Sequence, residues 1–198
     1  MRPSEIIARL RDAEALAQAA PTQSDLLDPA LVAEGRLREA AVLIPIVTYP
    51  ERPAVLLTLR AAHLNAHSGQ VAFPGGRIEP GETPEAAALR EAAEEVGLDP
   101  RIPEIVGRLP EHLTGTGFRV TPVVGLVPPP LAIAPDPAEV ELAFEYPLDV
   151  VLDPEAPRRE RAEFRGRARE FWVWPHPRHT IWGATAAMLV NLARVLRA

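Results

Sequence analysis

Cysteine is absent from the 198-residue chain, which excludes disulfides, thiolate metal sites and cysteine nucleophiles. Any metal chemistry must therefore use oxygen or imidazole ligands. Lysine is absent as well: all 21 basic residues are arginine, a pattern of coding bias rather than of mechanism. No apolar run approaches the roughly 18 residues that a membrane-spanning helix needs. The N-terminal stretch MRPSEIIARLRDAEALAQ alternates charge with apolar residues at helical spacing and does not read as a signal peptide. The C-terminal Val195-Leu196-Arg197-Ala198 matches no organelle address or lipidation signal. The expectation is a cytoplasmic protein without a membrane partner. Positive charge is in deficit, with a net charge of −6. That balance argues against a protein that coats nucleic acid, but leaves room for a local patch that binds a small anion.

What is present is an ordinary globular composition, 47% hydrophobic and 24% charged. The length favours one domain over residues 1–198. Proline is abundant, at 23 residues, and gathers at 128–130, 135–137 and 154–157, which stiffens the connections.

Apolar periodicity predicts an amphipathic N-terminal helix over about 3–19, with Ile6, Ile7, Leu10, Ala13 and Leu16 near one face. Strands are expected at 41–48, 54–60, 70–73, 105–109 and 118–127. Residues 139–144 read as strand or helix, 148–157 as a proline-broken loop, and 170–174 as a strand. The arginines between 158 and 169 alternate with Glu155, Glu160, Glu163 and Glu170, which reads as a solvated, charge-balanced loop. Trp172, Trp174 and Trp182 suit a core better than a stacking surface. A closing helix is expected over about 181–197. Helices and strands mix without regular alternation, so the fold class is α+β, a mixed sheet flanked by helices in an α/β/α sandwich-like arrangement.

One helix stands out. Thr83-Pro84 supplies a hydroxyl cap and a proline at the first helical position, and Gly97 supplies the stop. At about 100° per residue, Leu89, Ala92, Ala93 and Val96 fall on one side and Glu91, Glu94 and Glu95 roughly opposite. Like charges at this spacing weaken a helix by a few tenths of a kcal/mol per pair, approximately, and Arg90 relieves only part of that. Convergent carboxylates without thiol or imidazole are the ligand set of a hard cation, Mg²⁺ or Mn²⁺.

From Gly76, five residues lead to Glu82 and seven more to Arg90-Glu91-Ala92-Ala93-Glu94-Glu95-Val96-Gly97-Leu98. This resembles the signature of the Nudix hydrolases, with Gly76, Glu82, Arg90, Glu91, Glu94, Glu95 and Gly97 at its fixed positions and Ala92 where an aliphatic residue is commoner. The resemblance implies a loop-helix-loop docked on a mixed sheet that hydrolyses linked nucleoside diphosphates. It implies metal binding by Glu91, Glu94 and Glu95, with Gly76 and Glu82 in support. It also implies that Arg90 orients the carboxylates, and that Glu91 and Glu94 take part in catalysis. Glu91 is the first candidate for general base, with Glu139 and Glu141 further off.

A narrower resemblance, to the coenzyme A pyrophosphatase branch, is carried by Leu56 to Ala62 and by His67-Ser68-Gly69-Gln70-Val71-Ala72-Phe73-Pro74-Gly75-Gly76. Leu113 to Gly125, Glu139-Val140 with Pro147-Leu148, and Ile181 to Ala186 extend it downstream. The branch splits coenzyme A, or an acyl derivative, into 3′,5′-ADP and (acyl-)4′-phosphopantetheine. Arg60, His67, Gln70, Phe73, Gly75 and Arg77 are then the expected substrate-binding residues, although Asn65 stands where an arginine often precedes the histidine. Two alternatives stay open: hydrolysis of another nucleoside diphosphate derivative, such as ADP-ribose, a dinucleotide or an oxidised nucleotide, and a non-catalytic ligand-binding module.

Overall fold

The structure is a computed structural model that describes residues 1–63, 68–164 and 167–198. In chain order the elements are α1 (Pro3–Arg11), α2 (Ala13–Leu16), β1 (Thr22–Gln23), α3 (Pro29–Ala33), β2 (Arg38–Val47), β3 (Ala54–Arg60), β4 (Val71–Ala72), β5 (Gly75–Arg77) and α4 (Pro84–Val96). They continue with β6 (Glu104–Arg108), β7 (His112–Leu113), β8 (Phe118–Val127), β9 (Val140–Pro147), α5 (Leu148–Leu152), β10 (Arg158–Phe164), β11 (Arg167–Trp174), β12 (Ile181–Trp182) and α6 (Gly183–Arg197).

β2 organises a mixed sheet. It runs parallel to β8 along its whole length, from Arg38 opposite Phe118 to Val47 opposite Val127. Its other edge is shared: β5 pairs antiparallel with the first half, Gly76 opposite Ala41, and β3 pairs antiparallel with the end. β3 carries β4 and β9, while β8 carries β6 and β7, and β7 pairs with β1. A second, antiparallel sheet joins β10, β11 and β12.

Side chains alternate across a strand, so β2 feeds two cores. Ala41 and Leu43 join Leu56, Val123 and Val127 beneath Ala88, Ala92 and Val96 of α4. Ala40, Ile44 and Ile46 join Val55, Leu57, Val120 and Val124 on the other face, covered by Ile6 and Leu10 of α1 and by Leu189, Leu192 and Val195 of α6. The result is the expected α+β fold, a mixed sheet flanked by helices.

Several expectations change. The N-terminal helix breaks at Asp12, whose extended backbone lets its carboxylate cap α2 through the Glu14 amide. Residues 75–77 form a strand rather than only a turn, because the missing side chain at Gly75 lets it lie against the Ala41 carbonyl and the Val42 Cα. The 148–157 loop begins with α5. The arginine-rich segment is an antiparallel hairpin, with Arg159 and Arg161 both on Glu170 at 2.8 and 2.7 Å. Residues 140–144 fall in strand β9, which runs on to Pro147, and the closing helix starts at Gly183, after Ile181-Trp182 have paired with β11.

Candidate active site

The acidic helix is built as its caps dictate. The Thr83 hydroxyl accepts the Ala86 amide at 3.2 Å, Pro84 opens the first turn, and Gly97 closes the last with φ 67°, a left-handed conformation that favours glycine. The loop beyond returns to the helix end, where the Ala134 and Asp136 amides donate to the Val96 and Glu95 carbonyls. This stitching carries Glu139 in beside the helix.

Arg90 ties three acids and one carbonyl together. It forks onto Glu82 at 3.0 and 3.1 Å, reaches Glu91 at 2.8 Å and, more loosely, Glu94 at 3.5 Å, and donates to the Arg77 carbonyl. Its closest carboxylate partners are Glu91 and Glu82. The fork and the Glu79 amide hold the Glu82 carboxyl below its ordinary range, and Glu82 and Glu91 raise the Arg90 guanidinium further. Glu94 stays exposed.

Glu95 corrects the two-sided picture of this helix, because it is buried among Ala88, Ala92 and Val96. Its carboxylate accepts the Gly75 amide at 3.1 Å and meets Arg60 at 3.2 Å. Burial pushes its carboxyl up to about 7, against the downward pull of the Gly75 amide and Arg60, and the charges of Glu139 and Glu91 push the same way as burial. Glu91 rests over Gly76, where a Cβ would run into its carboxylate. A side chain at 76 would therefore displace the Glu91 carboxylate from this position. Glu91, Glu95, Gly75, Gly76 and Arg60 converge at this point.

The other expected residues are placed differently. Phe73 is packed in the core at 3% exposure. The Gln70 carbonyl accepts the Arg60 amide at 3.0 Å. Arg77 emerges on the face opposite Glu91 and leans over the Phe118 ring. His67 and Asn65 lie outside the described residues. Sequence reasoning missed Arg38, which stacks on the same Phe118 ring; only the Arg38–Phe118 register across two distant strands reveals it. It also missed the Gly75 amide, since a backbone donor leaves no signal in side-chain spacing.

Comparison with known proteins is decisive. The family model of the NUDIX domain matches residues 37–178. The Nudix hydrolase NudL of Escherichia coli O7:K1 is 44% identical over 157 residues, spanning 79% of this chain and 81% of that one. The chain belongs to the Nudix family. NudL of Salmonella newport is 45% identical over the same share. Among solved structures, a Deinococcus radiodurans protein aligns with a TM-score of 0.52 at 12% identity, covering 78% of this chain and 82% of its own. A MutT/nudix family protein from Enterococcus faecalis aligns at 0.50 and 14%, covering 83% and 66%. These two likenesses show the fold alone.

As a Nudix pyrophosphatase the protein hydrolyses a nucleoside diphosphate derivative, chemistry that the family performs with divalent cations. The donor set fits such an ion. It is all oxygen, and it includes a buried carboxylate answered, among the described residues, by one guanidinium and one amide, and a second carboxylate seated over a bare glycine. Among the described residues the acids do not form a closed cluster of three or more; Arg90 and Arg60 pair with them as counter-charges.

Proposed function

We propose that this Nudix hydrolase cleaves the diphosphate of coenzyme A or its acyl derivatives, giving 3′,5′-ADP and (acyl-)4′-phosphopantetheine. The observation that carries the reading is a pair of cations. The Arg38 guanidinium lies 3.9 Å and that of Arg77 5.7 Å from the centre of the Phe118 ring. Among the described residues neither forms an ion pair with a carboxylate; the Arg38 guanidinium donates to the Thr116 carbonyl at 2.8 Å. Two cations beside one ring, on the strand face opposite Glu91 and with Arg77 next in sequence to Gly76, support a substrate whose phosphomonoester is held apart from its diphosphate. Coenzyme A has that group at the ribose 3′ position; ADP-ribose does not.

Glu91, Glu94 and Glu95, supported by the Gly76 carbonyl and Glu82, are the residues that would hold Mg²⁺ or Mn²⁺. The bound ion supplies positive charge against the diphosphate oxygens, which otherwise repel an attacking water. Arg90 and Arg60 keep the carboxylates in place. Glu91 is the first candidate to take the proton of the attacking water, and Glu139, beside Glu95, the second. Water oxygen bonds to phosphorus, the bridging P–O bond breaks, and each product leaves as a phosphate monoester.

The test is hydrolysis with Mg²⁺ or Mn²⁺, read as release of 3′,5′-ADP from coenzyme A and of 5′-AMP from 3′-dephospho-coenzyme A and from ADP-ribose. Coenzyme A should be preferred, and Arg38→Gln should reduce the preference over the dephospho form about tenfold, the worth of one charge-assisted contact. A wild-type preference for ADP-ribose would replace this reading with the broader one.

A further inference from the structure

Two arginines answer the acidic site, and they are held differently. Arg90 is committed on every side: Nε and Nη2 fork onto Glu82, Nη1 reaches Glu91 at 2.8 Å, and Nη2 also donates to the Arg77 carbonyl. Arg60 makes, among the described residues, one side-chain hydrogen bond, from Nη1 to Oε1 of Glu95 at 3.2 Å. Its side chain is 24% exposed, against 3% for that of Glu95. A guanidinium carries five N–H donors, so this one has donors to spare and a side open to solvent.

The backbone beneath Arg60 is fixed. Its amide donates to the Gln70 carbonyl and its carbonyl accepts the Gly69 amide, both at 3.0 Å, and the next amide, that of Ala61, donates to the Glu139 carbonyl at 2.9 Å. The β3–β9 pairing is irregular at this residue, with Leu59 opposite Leu142 but Arg60 opposite Val140; such bulges re-aim side chains beside active sites. A change of partner at Arg60 is therefore a side-chain rotation and needs no movement of the strand.

Glu95 in turn requires a cation. Its second carboxylate oxygen accepts the Gly75 amide at 3.1 Å, and Glu91 and Glu139 add negative charge around it. A buried carboxylate stripped of its counter-charge is strongly destabilised. A divalent ion on the carboxylates supplies that counter-charge in place of Arg60 and repels the guanidinium. The anion then within its reach is the diphosphate that the same ion gathers.

We infer that Arg60 is an exchangeable counter-charge: it neutralises Glu95 in the metal-free protein and passes to the substrate diphosphate once a divalent cation is bound, so that metal loading prepares the substrate site. The inference rests on Glu95 as a metal ligand and not on the choice of coenzyme A. Wild type is compared with Arg60→Gln and with Arg60→Met, which keeps the apolar stem, at pH 8.5, where the wild-type Glu95 carboxyl, lifted by burial to about 7, is ionised. Mn²⁺ binding without substrate is read from the paramagnetic resonance of the free ion. Both variants should bind Mn²⁺ about tenfold more tightly, since a competing charge has gone. α,β-Methylene-ADP, a diphosphate that resists hydrolysis, is then titrated at saturating Mn²⁺ by calorimetry. Both variants should hold it about tenfold more weakly, the worth of one charge-assisted contact. A residue that merely buttresses Glu95 would weaken Mn²⁺ binding when removed. Weaker or unchanged Mn²⁺ binding, or an affinity for the analogue that the substitutions do not change, overturns the inference; where one variant does not fold, the other supplies both readings. If coenzyme A stays intact while Mn²⁺ and analogue affinities shift in opposite directions, the substrate reading fails and the exchange stands.

Discussion

Glu95 shows where a sequence stops being informative about a single side chain. On a helical wheel it lies about 40° from Glu91 and about 20° from Ala88, so it belongs to the boundary between acidic and apolar faces. Identity alone assigns a glutamate outward. What draws it inward is the Gly75 amide and the Arg60 guanidinium, both from strands whose register the helix does not encode. The motif made the residue's importance legible; its burial was not. Two measurements follow from the geometry. Glu95→Gln keeps the shape and removes the charge, so turnover should fall by about a thousandfold or more; activity within tenfold of wild type would contradict the assigned role. The second concerns the metal-free protein. A carboxyl that burial lifts from its usual 4.5 to about 7 stabilises the fold while protonated, and that contribution is lost as pH rises from 4.5 towards 7. Wild type in chelator should therefore lose up to ~3 kcal/mol relative to Glu95→Gln over that window in denaturant melts. Parallel profiles would show that the carboxylate is solvated.

At the scale of elements, long strands with one apolar rhythm were readable and short pairings were not. β3 and β8 fall where alternation and turn residues place them, at Ala54–Arg60 and Phe118–Val127. β5 is too short for periodicity and has two glycines, and β10 has a charge pattern that suits a solvated loop equally well. The pairing of β1 with β7 was also invisible, since each strand has only two residues, Thr22-Gln23 against His112-Leu113; within it His112 is 3% exposed and its Nδ1 lies 2.8 Å from the Thr22 hydroxyl. Burial pushes the His112 ring down to about 4 from an ordinary 6.5. The neutral ring stabilises the fold above 6.5, and the unfolded chain takes up the proton first as pH falls. Stability should thus decline between 6.5 and 4, by up to ~3 kcal/mol more in wild type than in His112→Phe, which cannot titrate. An acid profile unchanged by the substitution would mean that the β1–β7 contact opens before the core does.

For the molecule as a whole, the question is whether the two cores and the N-terminal helices act as one unit, as the sequence length suggests. The sheet is shared by both cores through the alternation of β2, β3 and β8, so strain on one face reaches the other. The N-terminus is bound in by more than proximity. Ile6 is fully buried against the α6-side core, and the Asn191 amide of α6 donates to the Ala20 carbonyl at 2.8 Å. The same helix fixes Trp174, whose Nε1–H donates to the Ala186 carbonyl at 3.1 Å in the interior. Amphipathic spacing exposed the apolar stripe of residues 3–19; it could not show what covers that stripe, because the covering helix lies at the far end of the chain. If the unit is single, Ile6→Ala should cost about 2–5 kcal/mol and move one cooperative transition, seen alike by tryptophan fluorescence and by thermal loss of diphosphate hydrolysis. If residues 1–20 were an appendage, the far-ultraviolet signal would shift while fluorescence and activity kept their midpoints. Coincident shifts would make a helix remote from Glu91 and Glu95 part of what holds the catalytic carboxylates in place.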